Sequence, residues 1–125
     1  MKKPNILIIE DNMIIAMDIQ DRLESFGYGV PAIITTGEEA IANIAELKPD
    51  LIIMDVALKG SLNGIETARK IHEDFKVPVI YLTGNSDLLK QANITDPYIV
   101  KPFEDEELKR LITSLLDNSS QKHMT

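Results

Sequence analysis

Ionisable and hydroxyl side chains stand directly after four of the short apolar runs in this sequence. After the first, third, fourth and fifth runs come, in that order, Glu10-Asp11, Asp55, Thr83 and Lys101. Each alone has an ordinary explanation, because acidic pairs cap helices, single Asp residues form turns and Thr is common in strands. The whole set is harder to explain by accident, since nearly every ionisable group carried by the runs stands at the same end of a run.

The three acidic residues predict a particular chemistry if they lie close together. Neighbouring carboxylates repel one another and raise a pKa unless a cation lies among them. Mg²⁺, or Mn²⁺ in its place, takes oxygen ligands and commonly binds carboxylates together with water and phosphate oxygens. A carboxylate can also accept a phosphoryl group, with a metal, an ammonium group and a hydroxyl spreading the transferred charge. Glu10, Asp11 and Asp55 therefore indicate a metal site, with Asp55 as acceptor because its strand would be central.

These acidic residues would meet at one edge if the apolar runs are parallel strands of one sheet. The predicted strands cover residues 6–9, 30–34, 51–54, 77–82 and 98–100. Between them lie segments of helical spacing, one ended by Gly27, one opened by the capping pattern Thr36-x-x-Glu39 and one starting at Asn63. Strand alternating with helix predicts a parallel sheet covered on both faces, in which ligands bind outside the carboxyl ends of the strands.

The composition fits one globular domain and excludes several classes of function. The chain has 125 residues, 44% of them hydrophobic, and no cysteine, which removes disulfides, thiolate metal sites and cysteine nucleophiles. Its formal charge of −7 argues against a nucleic-acid-binding surface, since phosphate contacts need clustered Lys and Arg. No apolar run approaches the roughly 18 residues of a membrane span, so a cytoplasmic protein without membrane contacts is expected. The domain is predicted over residues 1–117 and a disordered polar tail over 118–125.

In their order and spacing, several segments together resemble the receiver domain of two-component response regulators. The resemblance covers about residues 4–117 and is carried by Ile8-Ile9-Glu10-Asp11-Asn12, Pro49-Asp50-Leu51-Ile52-Ile53-Met54-Asp55, Gly64-Ile65-Glu66, Pro78-Val79-Ile80-Tyr81-Leu82-Thr83 and Val100-Lys101-Pro102-Phe103. It implies an α/β fold of the flavodoxin-like (βα)5 type, with a doubly wound five-stranded parallel sheet of order 2-1-3-4-5.

The resemblance also implies a role for each residue of the set. Asp55 would be the phosphoacceptor. Glu10 and Asp11 would hold Mg²⁺ or Mn²⁺ together with Asp55, Asp11 being the more direct ligand of the pair. The backbone carbonyl of Ala57 would complete the protein ligands, and Lys101 would pair with the phosphoryl oxygens.

A second group of residues implied by the resemblance would pass the signal on. Thr83 would move to hydrogen bond the phosphoryl group, and Tyr98 matches the position of the family's switch aromatic. Pro102 would follow Lys101 through a cis peptide bond, as some X–Pro bonds do. The phosphoryl donor would be a histidine kinase or a histidine phosphotransfer domain. The rearranged fourth helix, fifth strand and fifth helix would form the output surface.

The sequence departs from the family pattern in the segments around the predicted site. The loop after Asp55 is about one residue longer than is usual and has Lys59 where a proline is usual. Lys101 follows Thr83 by only 18 positions, several fewer than in the family. The missing residues fall in the fourth helix and the loop after it, so we expect a shortened, irregular fourth helix over about residues 87–92.

The first predicted helix carries two further features. Met13, Ile14 and Met17 add to the apolar residues of its inward stripe. They either make a wide apolar face on this helix or form a docking patch beside the phosphoacceptor for a histidine-bearing helical partner. Asp18 and Arg22, four positions apart, predict a solvated ion pair of little energetic value.

The function that these observations favour is a phosphorylation-dependent signalling module, either acting alone or cut from a larger protein such as a hybrid or sensor kinase. It would be no enzyme toward other substrates, although it would catalyse its own phosphorylation and dephosphorylation, and the sequence leaves its downstream target unidentified. A degenerate receiver that binds a partner without phosphorylation stays open as the alternative.

Two other classes of function do not fit the sequence. An aspartyl-nucleophile phosphatase would need a second Asp at Ala57, and a nucleotide- or flavin-binding module would need a phosphate-binding loop where Glu10-Asp11-Asn12 stands.

Overall fold

Strands and helices alternate from one end of the described chain to the other. The computed structural model describes the backbone of residues 3–124 and the side chains of residues 3–117. The elements are β1 (Ile6–Ile9), α1 (Met13–Ser25), β2 (Ile33–Ile34), α2 (Gly37–Leu47), β3 (Leu51–Asp55), α3 (Gly64–Asp74), β4 (Val79–Thr83), α4 (Asp87–Gln91), β5 (Tyr98–Val100) and α5 (Asp105–Met124).

Within residues 3–124 the strands form one five-stranded parallel sheet of order β2-β1-β3-β4-β5. The predicted fold class and strand order are therefore confirmed. Every residue of β1, β3 and β4 is buried, which explains why these strands read as continuous apolar runs. The register pairs Ile9 with Met54 and Asp55 with Leu82, so the carboxyl ends of the strands meet at one edge of the sheet.

The two faces of the sheet are covered by different helices. Alternate strand residues such as Leu7, Ile52 and Tyr81 pack with residues of α2, α3 and α4. Their neighbours, such as Ile8 and Ile53, pack with residues of α1 and α5. This division follows from the two-residue period of a strand, in which successive side chains point to opposite faces.

Side chains cap the helices that start beside the carboxyl edge of β1, β2 and β3. Asn12 accepts from the N–H groups of Ile14 and Ile15 at the start of α1, and Thr36 accepts from Glu39 N at the start of α2. At α3, Asn63 and Glu66 accept reciprocally from each other's backbone N–H in a capping box. Each cap satisfies N–H groups that have no partner inside the helix.

The starts of two strands differ from the prediction because of proline. β2 was expected over 30–34 but covers Ile33–Ile34, and β4 was expected over 77–82 but covers Val79–Thr83. Pro31 and Pro78 lie inside the regions that are not strand. Proline has no N–H group for a strand ladder, so it restricts where pairing can begin.

The last two helices bear on two further expectations. α4 is a five-residue helix, Asp87–Gln91, which confirms the short fourth helix. The backbone of α5 is helical to Met124, so the helix continues past residue 117, where a disordered tail was predicted to begin. The side chains of residues 118–125 lie outside the described residues, and the domain boundary stays a prediction. None of the helices in the described range is both long and apolar enough to span a membrane.

Candidate functional site

The carboxyl edge of the sheet brings together three acidic residues, which we call the acid trio: Glu10, Asp11 and Asp55. Glu10 and Asp11 directly follow β1, and Asp55 is the last residue of the neighbouring β3. One carboxylate oxygen from each lies within 4.8 Å of the other two. The predicted convergence of these side chains is therefore present in the fold. It arises because β1 pairs with β3, which brings together residues 45 positions apart in sequence, such as Ile9 and Met54.

Glu10 is the most deeply buried member of the trio, with 2% of its surface exposed. Its Oε2 accepts from Asn12 N at 3.1 Å, and its Oε1 lies 3.5 Å from Lys101 Nζ. Burial, helped by the carboxyl group of Asp55, raises the pKa of Glu10 from 4.5 to about 7, although Asn12 N–H and Lys101 act in the opposite direction. The cause is that a buried carboxylate loses the solvation that stabilises its charge.

The donor set of the trio fits a hard divalent cation. Glu10 Oε1 is buried yet accepts no hydrogen bond, and a buried carboxylate oxygen without a donor is costly. A cation among the three carboxylates would remove both their repulsion and this deficit. Because all the side-chain ligands would be oxygen atoms, Mg²⁺ or Mn²⁺ suits the site better than a metal that prefers nitrogen or sulfur.

The backbone around Asp55 is held closely. Asp55 Oδ1 accepts from Ala57 N at 2.9 Å, and Gly64 N donates to Val56 O at 3.2 Å. A Cβ atom at Gly64 would overlap the carbonyl oxygen of Asp55, so only glycine lets the start of α3 pack against this strand end. In the sequence, Gly64 was part of the segment Gly64-Ile65-Glu66 that carries the family resemblance, but no packing role was predicted for it. The available signal was its place directly after the N-cap Asn63, the first position of a helix that follows the site.

Thr83 and Lys101 lie at the same edge on β4 and beyond β5. The hydroxyl of Thr83 donates to Asn85 O at 2.7 Å and accepts from Asn85 N at 3.1 Å. Those bonds hold the hydroxyl against the β4–α4 loop rather than against the acid trio. The backbone N–H of Lys101 donates to Thr83 O at 2.8 Å, and the peptide bond from Lys101 to Pro102 is cis, as expected.

Tyr98 is the predicted site residue that the fold does not bring to the trio. It lies on β5, with its side chain 39% exposed, and its register partner is Tyr81 on β4. β5 is an edge strand of the sheet. Its assignment as a switch residue therefore stays a prediction.

The α1 patch, which we define as Met13, Ile14 and Met17, is exposed. These side chains are 47%, 82% and 55% exposed, respectively, whereas α1 buries Ala16, Ile19 and Leu23. The three side chains therefore widen the apolar surface of α1 without joining the face that packs against the sheet. The patch begins two residues after Asp11, so it lies on the helix that starts at the acid trio.

Comparison with known proteins gives consistent results at the level of sequence. The response regulator receiver domain family matches residues 6–113. The DNA-binding response regulator MtrA of Mycobacterium tuberculosis is 34% identical over 110 residues, which cover 85% of this chain and 47% of MtrA. The chain thus spans about half the length of the curated relatives it matches.

Solved structures agree with the sequence match. The receiver domain of the sensor histidine kinase PA1611 from Pseudomonas aeruginosa PAO1, which holds a magnesium ion in its active site cleft, superposes with a TM-score of 0.82 at 31% identity, over 93% of this chain and 99% of that one. The response regulator PhyR from Brucella abortus gives a TM-score of 0.87 at 31% identity, over 98% of this chain and 51% of PhyR. Because the family match covers most of the sequence and the likeness extends through the whole fold, this chain belongs to the response regulator receiver domain family.

Proposed function

We propose that this chain takes a phosphoryl group on Asp55 from a phosphorylated histidine, on a histidine kinase or a histidine phosphotransfer domain, in the presence of Mg²⁺ or Mn²⁺. The observation that carries the proposal is the meeting of three carboxylates within 4.8 Å, with Lys101 Nζ 3.5 Å from one of them. Carboxylates gathered around one point can hold a cation, and the lysine adds a second positive charge for an incoming phosphoryl group.

The transfer conserves atoms and electrons. A carboxylate oxygen of Asp55 forms a bond to phosphorus while the P–N bond of the phosphohistidine breaks, and the bonding pair stays on the imidazole nitrogen. Asp55 attacks through one of its two carboxylate oxygens, and its Oδ1 already accepts a hydrogen bond from Ala57 N. Because Oδ1 is already held, we assign the attack to Oδ2.

The remaining site residues would stabilise charge. Glu10, Asp11, Asp55 and the carbonyl of Ala57 would hold the cation, which supplies positive charge to the crowded carboxylates and the transferred oxygens. Lys101 would bind a phosphoryl oxygen, and its present partner Glu10 lies at the same site. The cation and Lys101 would thus place positive charge next to the negatively charged oxygens of the incoming phosphoryl group.

Thr83 and Tyr98 would convert phosphorylation into a signal. The Thr83 hydroxyl is bonded to the backbone of Asn85, so it must leave the β4–α4 loop to reach a phosphoryl group on Asp55. The loop would then lose two hydrogen bonds and rearrange. Tyr98, exposed on β5, would change its position in response.

The α1 patch supports a helical protein as the phosphoryl donor. Three exposed apolar side chains on one helix favour contact with another apolar surface, and two of them are methionines, which adapt to varied partners. α1 starts beside the acid trio, so a partner docked there could present a histidine to Asp55.

The same reasoning limits what this domain does. We propose that it catalyses its own phosphorylation and dephosphorylation and acts on no other substrate. Its formal charge of −7 favours a protein target over direct contact with nucleic acid. MtrA is a DNA-binding response regulator as a whole protein, but this chain matches only 47% of its length.

Intact-mass measurement after incubation with Mg²⁺ and a small acyl phosphate tests the proposal. Wild type is expected to gain the mass of one phosphoryl group, and Asp55→Asn to gain none. Asp21→Asn, which changes an exposed acid of α1, serves as the matched control and is expected to react like wild type. Omission of the divalent cation should suppress the reaction.

Two results would contradict the proposal. If wild type stays unmodified while the same donor modifies a known receiver, the chain is not a phosphoacceptor under these conditions, and the degenerate-receiver alternative gains support. If Asp55→Asn is modified as fully as wild type, the acceptor has been assigned to the wrong residue.

A further inference from the structure

Arg22 of α1 joins parts of the fold that are far apart in sequence. Its Nη1 donates to the carbonyl oxygen of Phe103 at 3.2 Å and lies 3.3 Å from Asp105 Oδ1. Its Nε lies 3.1 Å from Asp18 Oδ2, and its guanidinium carbon lies 4.8 Å from the centre of the Phe103 ring. One side chain therefore connects α1, the β5–α5 loop (residues 101–104) and the start of α5.

The loop that Arg22 holds is the loop that carries Lys101. On the strand side, Lys101 N donates to Thr83 O at 2.8 Å. Two residues further on, beyond Pro102, the Phe103 carbonyl is held by Arg22. The backbone of Lys101 thus lies between two anchors, one in the sheet and the other on α1.

The position of Lys101 Nζ depends on both backbone anchors, because the contact of Nζ with Glu10 is too weak to hold the long side chain by itself. Nζ lies 3.5 Å from Glu10 Oε1, an ionic contact without a hydrogen bond. A small displacement of the Lys101 backbone would carry Nζ away from the acid trio. Arginine suits the anchoring role because its planar guanidinium donates in several directions at once, which a lysine ammonium on a flexible stem does not reproduce.

We propose that Arg22 is a positioning residue for phosphoryl transfer, holding the β5–α5 loop so that Lys101 Nζ stays at the acid trio. The inference rests on the proposed function, since Lys101 is the group through which Arg22 acts. Arg22 itself makes no contact with the phosphoryl group in this proposal. Ion pairs as exposed as those of Arg22 contribute little to stability, so the effect is expected in the rate of transfer rather than in folding.

Rate measurements on single variants provide the first test. With a small acyl phosphate and Mg²⁺, Arg22→Gln is expected to lower the phosphorylation rate constant by about tenfold. Its Kd for Mg²⁺ is expected to change by less than about twofold, because Lys101 is not a proposed metal ligand. Arg22→Lys keeps the charge without the planar fork, so it should give an intermediate rate.

Lys109→Gln is the matched control. Lys109 of α5 lies over the ring of Phe26, 5.7 Å from its centre. The substitution therefore removes a cation–π contact next to α1 without touching the β5–α5 loop. We expect a wild-type rate, and an equal loss in this control would mean that helix packing, not the loop, sets the rate.

A double-variant cycle tests whether Arg22 acts through Lys101. In a Lys101→Ala background, Arg22→Gln is expected to slow phosphorylation by less than about twofold further, because the group that it positions is already absent. If Arg22→Gln causes the same tenfold loss in that background, Arg22 does not act through Lys101 and the inference is wrong.

Chemical labelling separates this inference from the proposed function. The reaction of the Lys101 amine with an acylating reagent, followed by peptide mass, requires no phosphorylation, and it is expected to accelerate in Arg22→Gln but not in Lys109→Gln. If wild type gains no phosphoryl group while labelling accelerates as expected, the proposed function fails, and Arg22 holds Lys101 in place without serving phosphoryl transfer. If wild type is phosphorylated and Arg22→Gln changes neither rate nor labelling, the positioning role is wrong.

Discussion

The acid trio and the output segment, which we define as residues 84–100, are held by the fold to different degrees. Two members of the trio follow β1 and the third ends β3, every residue of these two strands is buried, and the adjoining helices α1 and α3 have side-chain caps. The output segment contains a helix of five residues whose N-cap makes no side-chain hydrogen bond and in which Leu89 is buried. Two of the three residues of its strand, Tyr98 and Val100, are exposed.

In the proposed function, this difference would separate the chemistry from the response. Ligands and an attacking carboxylate need fixed positions, which fully buried strands provide. A segment that must rearrange is drawn from the less stable parts of a fold. We infer that the trio would keep its geometry while the output segment changes, with the hydroxyl of Thr83 at the boundary, bonded to Asn85 of the output segment.

Hydrogen exchange should reveal the largest difference between the two regions. The opening free energies of amides in β1 and β3 are expected to exceed those in α4 by about 3 kcal/mol or more, because α4 buries little apolar surface. Native-state exchange read by NMR measures both sets in one sample. Amides of the capped helix α3 serve as the reference for an ordinary helix. Equal protection in α4 and β3 would remove the basis of the comparison.

Two glycines test the same contrast by substitution. Gly64→Ala is expected to lower the free energy of unfolding by about 2–3 kcal/mol, because the added Cβ meets the Asp55 carbonyl oxygen. Gly84→Ala in the output segment is its matched control, since an added Cβ there meets nothing within 4 Å, and a change under about 0.5 kcal/mol is expected. Urea unfolding of both variants gives the values. Similar losses in both would show that packing at the trio is not specially tight.

The pH dependence of stability tests the electrostatics of the trio. Glu10 has a pKa of about 7 in the folded protein against an ordinary value of 4.5. Between these values the folded state binds more protons than the unfolded state, so its stability falls as the pH rises. In metal-free buffer, the contribution of Glu10 should fall by about 1–3 kcal/mol from pH 4.5 to pH 7.5.

The contribution of Glu10 is isolated by comparison with Glu10→Gln, which cannot ionise. Urea unfolding of both proteins at several pH values gives the stability of wild type relative to Glu10→Gln, which should fall as the pH rises in the absence of metal. Added Mg²⁺ should restore wild-type stability near pH 7.5 more than that of Glu10→Gln. A difference that does not depend on pH would show that Glu10 ionises normally.

The smallest effect on stability is expected at the α1 patch. Ile14→Ser changes a side chain that is 82% exposed, so the free energy of unfolding should change by less than about 0.5 kcal/mol. Phosphotransfer from a protein donor should slow, while phosphorylation by a small acyl phosphate should keep its rate. Leu88→Ser, which changes an exposed leucine of α4, is the control and should leave transfer from the donor unchanged. Equal slowing by both variants would point to a donor that docks elsewhere.

Local sequence pattern was enough to predict most of the architecture. The buried strands are continuous β-branched runs in the sequence, and the capping residues Thr36 and Asn63 predicted helix starts at the observed positions. The errors came where pairing depends on a neighbour: β2 was predicted from residue 30 because its apolar pattern continues, although Pro31 lies within it. Propensity describes a residue's own preference, whereas a strand boundary requires a partner's N–H and C=O groups.

Arg22 shows where sequence reasoning ends. The i, i+4 spacing with Asp18 predicted an ion pair, and that pair is present at 3.1 Å. The contacts of Arg22 with Phe103 and Asp105, 81 and 83 residues away, could not be predicted, because helix geometry relates a residue only to its near neighbours in the chain. The prediction that Arg22 forms an ion pair of little energetic value therefore covered only its contact with Asp18.

The sequence by itself determined the fold class and the end of the sheet at which acidic, hydroxyl and ammonium groups would gather, because hydrophobic periodicity and the alternation of strand with helix follow from local pattern. Only the tertiary structure decided that Glu10 is buried with an oxygen lacking a donor, that Thr83 bonds to Asn85 and that the α1 patch is exposed. Burial, desolvation and hydrogen bonding depend on which distant segments pack around a side chain, and that packing exists only in the folded chain.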